Sequence, residues 1–229
     1  MTFREALAQS VNVPAIQVLY LAGLKESLRL AKDMGLTTLT ETDRYGLTLV
    51  LGGGEVKLLD LTSAYGVFAT EGVRHEPADI LRIETKDGVT VEEWRDQSEQ
   101  VLPTETALTI TDMLSDNKAR TPAFGAASPL YFPGRDVAAK TGTTNDFRDA
   151  WIVGYTPGIA VGAWAGNNDN RPMKKIAAFI VAPLWNEFMN EVLKRSLPES
   201  FRKPAEEDLS ALPPILRGIW QGGETYFID

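Results

Sequence analysis

Helical and strand periodicities are segregated along this chain, the pattern of an α+β fold. Two observations carry that reading. Up to Gly72 apolar residues recur at spacings of three and four, and from Val137 the period falls to two through three short runs before one last helical stretch. Thr2 and Glu5 make a capping box, so a helix begins almost at the first residue. Ala6, Leu7, Val11, Ala15, Val18 and Leu19 carry the helical pattern up to Ser10 and again after Pro14. Asn12 and Val13 are expected in the break, because Pro14 disfavours helical geometry at the residue before it. Residues 25–34 form a second helix closed by Gly35. Gly52, Gly53 and Gly54 open a third, apolar at Val56, Leu59, Leu61, Tyr65 and Phe68 and ending near Gly72.

Residues 80–94 alternate about Lys86, Asp87 and Gly88, which predicts a charged, peripheral hairpin, and residues 104–114 return to helix. Strands over 137–144, 150–155 and 159–166 are separated by Asn145-Asp146 and Pro157-Gly158 turns, and tight turns make consecutive strands an antiparallel meander. Residues 177–193 form a C-terminal helix with Phe179, Leu184, Trp185, Phe188 and Val192 on its apolar face and Pro183 near its first turn. After Arg195 the composition shifts to Pro, Glu and Ser. That shift divides the chain into a domain over 1–195 and a linker over 196–229, with residues 215–226 reading as the first piece of something further.

Composition narrows the function. With 44% hydrophobic and 24% charged residues the chain is an ordinary globular one, and a net charge of −8 argues against nucleic acid as partner, because a phosphate backbone would be repelled. The absence of Cys excludes a disulfide scaffold, a Cys nucleophile and thiolate metal sites. The one His, His75, lies in a polar loop with no second ligand near it, so neither a metal nor a cofactor is expected. No apolar run reaches the ~20 residues of a membrane span, and residues 1–20 lack the form of an export signal.

Lys140-Thr141-Gly142-Thr143-Thr144 is the sharpest feature: a lysine, hydroxyls and a glycine on one strand, where the glycine lets a ligand approach the backbone. Ala138 and Ala139 before it indicate tight packing, and a partly buried lysine without purpose is uncommon. Ser10-Val11-Asn12 supplies an S-x-N element, which accompanies K-T-G in the serine penicillin-recognising enzymes.

The chain resembles the C-terminal part of the transpeptidase domain of class A penicillin-binding proteins, most like the 1C type. The resemblance is carried by residues 6–15, by Leu51-Gly52-Gly53-Gly54-Glu55-Val56, by Ala64-Tyr65-Gly66-Val67-Phe68-Ala69 and by residues 140–157. It implies an antiparallel sheet with helices on its faces, of which this chain holds the last three of five strands. It implies a D,D-transpeptidase that cross-links D-Ala-D-Ala stem peptides through an acyl-enzyme, binds β-lactams, and works at the extracytoplasmic face of the bacterial plasma membrane beside a glycosyltransferase module. By the same resemblance Ser10 and Lys140 are catalytic, Ser10 relaying a proton to the leaving amine and Lys140 tuning it. Asn12 holds the substrate amide, Thr141 and Thr143 orient the terminal carboxylate, and Gly142 lies between them in the substrate-binding strand.

The family's nucleophile motif, S-x-x-K, precedes S-x-N. Ser115-Asp116-Asn117-Lys118 matches it literally but follows S-x-N, so the nucleophile is expected outside these residues, in an upstream half of the same domain. Two other readings stand beside this one: a non-catalytic module that binds stem peptide or β-lactam, and a piece of a β-lactamase or D,D-carboxypeptidase. Glycines 52–54 ahead of a helix could cradle a phosphate, but no Lys-Ser/Thr follows and a turn is favoured.

Overall fold

A computed structural model describes residues 1–173, 177–205 and 212–214. Residues 215–226 and the side chain of Phe179 lie outside the described residues. Helix α1 (Phe3–Ala8) opens on the expected capping box: Glu5 N–H donates to Thr2 Oγ1 at 3.2 Å and Thr2 N–H to the Glu5 carboxylate at 2.7 Å. It closes sooner than Pro14 suggests. Ser10 N–H donates to Leu7 O at 3.1 Å and Val11 N–H to Ala6 O at 2.9 Å, a Schellman closure with Ser10 at φ +60°. Helix α2 (Asn12–Ala22) therefore starts at Asn12, and the break falls on Ser10 and Val11 instead of Asn12 and Val13. Pro14 sits in the first turn of α2, where its missing N–H costs no hydrogen bond.

Helix α3 (Leu24–Asp33) is followed by a 3-10 turn (Leu47–Leu51) that Gly52 ends at φ +96°. The three glycines close that turn and do not open a helix, since α4 (Leu58–Ala69) begins after Lys57. Strands β1 (Val73–Arg74) and β4 (Glu99–Gln100) pair and pinch off an excursion that carries the exposed hairpin of β2 (Arg82–Glu84) and β3 (Thr90–Glu93). Helix α5 (Thr104–Ser115) is followed at once by α6 (Asn117–Phe124). Asp116, which reads in the sequence as a helix end, also begins the next helix: its carboxylate accepts from Ala119 N–H at 2.9 Å.

Strands β5 (Ala138–Thr143), β6 (Asp149–Thr156) and β7 (Ile159–Gly166) form the expected antiparallel meander in the order β5-β6-β7, with Lys140 opposite Val153 and Trp151 opposite Trp164. Helices α4 and α5 pack on one face. The approach of α4 depends on Gly162, where a Cβ would stand 2.1 Å from Thr62 Oγ1. On the other face lies α7 (Ala177–Leu193), which buries Val181, Ala182, Trp185, Met189 and Leu193 against Ala139, Ala150 and Ile152. Leu184 and Phe188, expected in that apolar face, are 64% and 54% exposed, and Pro183 stands in the second turn and not the first. The apolar arc lies opposite Asn186, Glu187, Asn190 and Glu191 and is wider than the stripe the sheet covers, so spacing alone does not place the edge of that stripe. Residues read as linker also return to the domain: Phe201 meets the Tyr155 ring at 5.7 Å, Arg202 pairs with Glu71 at 3.1 Å and Lys203 with Asp112 at 2.7 Å.

Candidate functional site

Ser10 and Lys140 are 130 positions apart in the chain, and the fold brings them into contact: Lys140 Nζ donates to Ser10 Oγ at 2.6 Å and to Thr141 O at 2.8 Å. Ser10 occupies the left-handed closing position of α1, a place where glycine is the ordinary residue because a Cβ is strained there. Ser10 bears that strain, of order 1 kcal/mol, with its hydroxyl turned to Lys140.

The lysine is equally costly to hold. Burial pushes its ammonium down to about 8, and the positive charge of Arg120 pushes in the same direction. Charged, the group donates to the Ser10 oxygen at 2.6 Å; with its pKa lowered toward neutrality, the free amine becomes accessible and can accept from the same hydroxyl.

Around this pair the other expected residues stand in two groups. Asn12 follows Ser10 by two positions at the start of α2; its side chain is exposed and makes no hydrogen bond among the described residues. Thr141 and Thr143 continue β5 beyond Lys140, which is an edge strand of the three-stranded sheet, and their hydroxyls are likewise unengaged among the described residues. The space left by Gly142 faces across the sheet, where a Cβ would stand 3.3 Å from Trp151 Cβ. Its immediate role is therefore to let β5 lie flat against β6.

The end of β5 is clamped by a residue to which the sequence assigned no separate role. Asp149 accepts from Thr144 Oγ1 and from Trp164 Nε1, each at 2.9 Å, and its N–H donates back to Thr144 Oγ1 at 2.9 Å. The three groups fix the loop that joins Thr143 to β6. Gly52 also comes close to Thr144, where its Cβ would touch the methyl group at 3.4 Å, so the 3-10 turn before α4 borders the same end of the strand.

Ser115, the literal S-x-x-K serine, ends α5 with its hydroxyl donated to Asp112 O at 3.3 Å, and Lys118 is exposed. His75 lies at the peripheral excursion and holds Asp96 at 2.6 Å through Nδ1. Sequence reasoning missed Arg120, a fully buried cation on α6 that reaches the strand just before Lys140. No sequence signal marks it, because α6 itself was not expected.

The fold is that of the penicillin-recognising transpeptidases. It is similar to the penicillin-binding protein PonA1 of Mycobacterium tuberculosis in complex with penicillin V, with a TM-score of 0.78 at 25% identity over 89% of this chain and 59% of that one. In fold it also matches penicillin-binding protein 1A of Haemophilus influenzae, with a TM-score of 0.74 at 22% identity over 88% of this chain and 35% of the other. The model of the penicillin-binding protein transpeptidase domain matches residues 1–190, and the chain belongs to that family.

Among relatives by sequence, penicillin-binding protein 1A of Aquifex aeolicus is 34% identical over 93% of this chain, and penicillin-binding protein 1C of Escherichia coli is 32% identical over 98%. The chain spans 29% and 27% of the lengths of those two relatives.

Proposed function

We propose that this chain supplies one wall of the acyl-transfer cleft of a peptidoglycan D,D-transpeptidase of the class A type. The 2.6 Å contact between Ser10 Oγ and Lys140 Nζ is the observation that carries the proposal. The nucleophilic serine and its lysine come from sequence outside these residues, in the upstream half of the domain. As that serine bonds to the carbonyl carbon of D-Ala-D-Ala, the C–N bond breaks and the leaving amine takes a proton from Ser10, whose hydroxyl is replenished from the proton the nucleophile gives up.

Lys140 keeps Ser10 polarised and fixed, Asn12 holds the substrate amide, and Thr141 and Thr143 receive the terminal carboxylate. The Thr143 backbone N–H serves as one of the two oxyanion donors. Both β-lactams and stem peptides fit this wall because each presents a carboxylate next to a scissile amide. The engaged Ser10–Lys140 pair favours catalysis over a module that only binds, since binding alone would not require a strained serine against a costly lysine.

On this reading the domain works at the extracytoplasmic face of the membrane beside a glycosyltransferase module; no helix among the described residues is long and apolar enough to cross a membrane. A fluorescent penicillin tests the reading. The 229-residue chain alone should take no covalent label, and a label mapped to Ser115 would refute it. In a protein that also carries the upstream half of the domain, Ser10→Ala and Lys140→Ala should each slow acylation by roughly 10²-fold. Wild-type rates in either variant would remove that residue from the reaction.

A further inference from the structure

Arg120 is only 2% exposed, and a buried cation is ordinarily paired with a carboxylate. This one is not. Its guanidinium donates to three neutral carbonyls: Leu130 O at 3.2 Å, Ala139 O at 3.4 Å, and Leu114 O. Asp116, one turn back, lends it some opposite charge but is itself engaged with Arg4 at 3.4 Å and with the start of α6. Burial pushes the guanidinium down to about 10, so the molecule carries a charge where an apolar side chain would cost less. The three carbonyls explain what is gained. They belong to the end of α5, to the loop before β5 and to β5 itself, and Ala139 is the residue immediately before Lys140.

We propose that Arg120 is a positioning residue for Lys140, tying the Ala139 carbonyl to α5 and to the Leu130 loop so that β5 presents the ammonium to Ser10. A flat guanidinium spreads its donors over two nitrogens in fixed directions, whereas the three donors of an ammonium radiate from one rotatable nitrogen. Its charge adds a second effect on the same target, since it lies near enough to disfavour the protonated lysine. The other charged groups about this corner are Asp112 on α5, Asp116 at the start of α6, Arg4 on α1 and Asp149 at the far end of the hairpin formed by β5 and β6. The first two face Arg4, Asp112 also meets Lys203, and Asp149 is held by Thr144 and Trp164. The inference rests on the reading of Ser10 and Lys140 as the acid–base pair, but it is tested without catalysis.

In the full 229-residue chain labelled with ¹³C-lysine, the Lys140 Cε signal, identified by its loss in Lys140→Gln, is titrated while amide exchange is followed residue by residue. Arg120→Met should raise the Lys140 midpoint by about one pH unit and speed exchange at Ala139, Lys140 and Thr141 by about tenfold, leaving β7 and α7 within about a factor of three. Arg120→Lys should move the midpoint less yet loosen the same amides, because the charge returns without the fork.

An unmoved midpoint in a folded Arg120→Met chain overturns the proposal, as does exchange that rises evenly across the sheet. Should Arg120→Met fail to fold, Arg120→Lys decides: wild-type behaviour in both readouts, or loss of the fold in this variant too, makes Arg120 a core staple only. None of these readouts depends on acylation, so a failure here leaves the roles of Ser10 and Lys140 to their own test.

Discussion

The two faces of the β5–β7 sheet are made from the same strands and teach opposite lessons. Toward α7 the filling is apolar and conventional: Leu130, Phe132, Val137, Ala139, Ala150 and Ile152 against Val181, Trp185 and Met189, with Trp185 Nε1 satisfied by Val161 O at 2.9 Å. Toward α5 and the break between α1 and α2 the interior holds Lys140, Arg120 and a Tyr155–Thr111 hydroxyl pair at 2.9 Å. There burial raises the Tyr155 phenol well above its ordinary value and lowers both cations. Both faces carry an apolar cluster, the second built on Leu114, Ala138 and Tyr155 with Tyr65 and Phe68, but only the second sets polar groups that cost stability and can do chemistry beside it.

The comparison breaks first at Trp185. Trp185→Ala removes a ring that meets Phe132 edge-on at 5.5 Å and leaves a void beside Gly154, so roughly 3–5 kcal/mol should be lost. A urea melt reads this directly, and a loss under about 1 kcal/mol would mean that the α7 face does not carry the fold.

A substitution on the opposite face should have the opposite sign. Lys140 has a folded pKa of about 8 against an ordinary 10.5, so the unfolded chain binds more protons between those values and stability rises with pH across that window. Below it the charged lysine is a standing cost. Lys140→Met should therefore stabilise the chain by about 1–2 kcal/mol at pH 7, the full shift being offset by the lost bonds to Ser10 and Thr141. The gain should shrink as pH rises from 8 toward 10.5. Melts at several pH values check this, and a destabilised variant at pH 7 would show that the lysine stabilises the fold.

The smallest effect belongs to Ser10. Ser10→Gly relieves the left-handed strain but loses the acceptor of Lys140 and loosens the unfolded chain, so the stability should change by less than about 1 kcal/mol. Thermal melts check this, and a larger loss would place Ser10 among the residues that hold α1 and α2 together.

These asymmetries also explain what could be read from the amino acids. The meander was legible because period-two patterning and the Pro157-Gly158 turn are local properties, and the α1 capping box because it spans four residues. Helix α6 was not legible. Asp116 and Asn117 are as good at ending a helix as at starting one, and Pro122 inside α6 argues against it locally. The α7 face was legible only in part for a related reason: its apolar arc is wider than the sheet covers, so packing buries Trp185 as expected but leaves Leu184 and Phe188, at the edge of that arc, exposed.

By itself the amino-acid sequence determined the three-stranded meander, most of the helices but not α6, the K-T-G and S-x-N elements and the likeness to penicillin-binding transpeptidases, all carried by short-range pattern or ordered motifs. Only tertiary structure decided that Ser10 closes α1 at positive φ, that its hydroxyl meets an ammonium 130 positions away, and that Arg120 stands behind the strand that presents it. The physical reason is that burial and charge proximity are properties of the packed chain. A half-buried lysine beside a buried arginine becomes possible only when α5, α6 and the strand converge, and no local pattern in the sequence encodes that convergence.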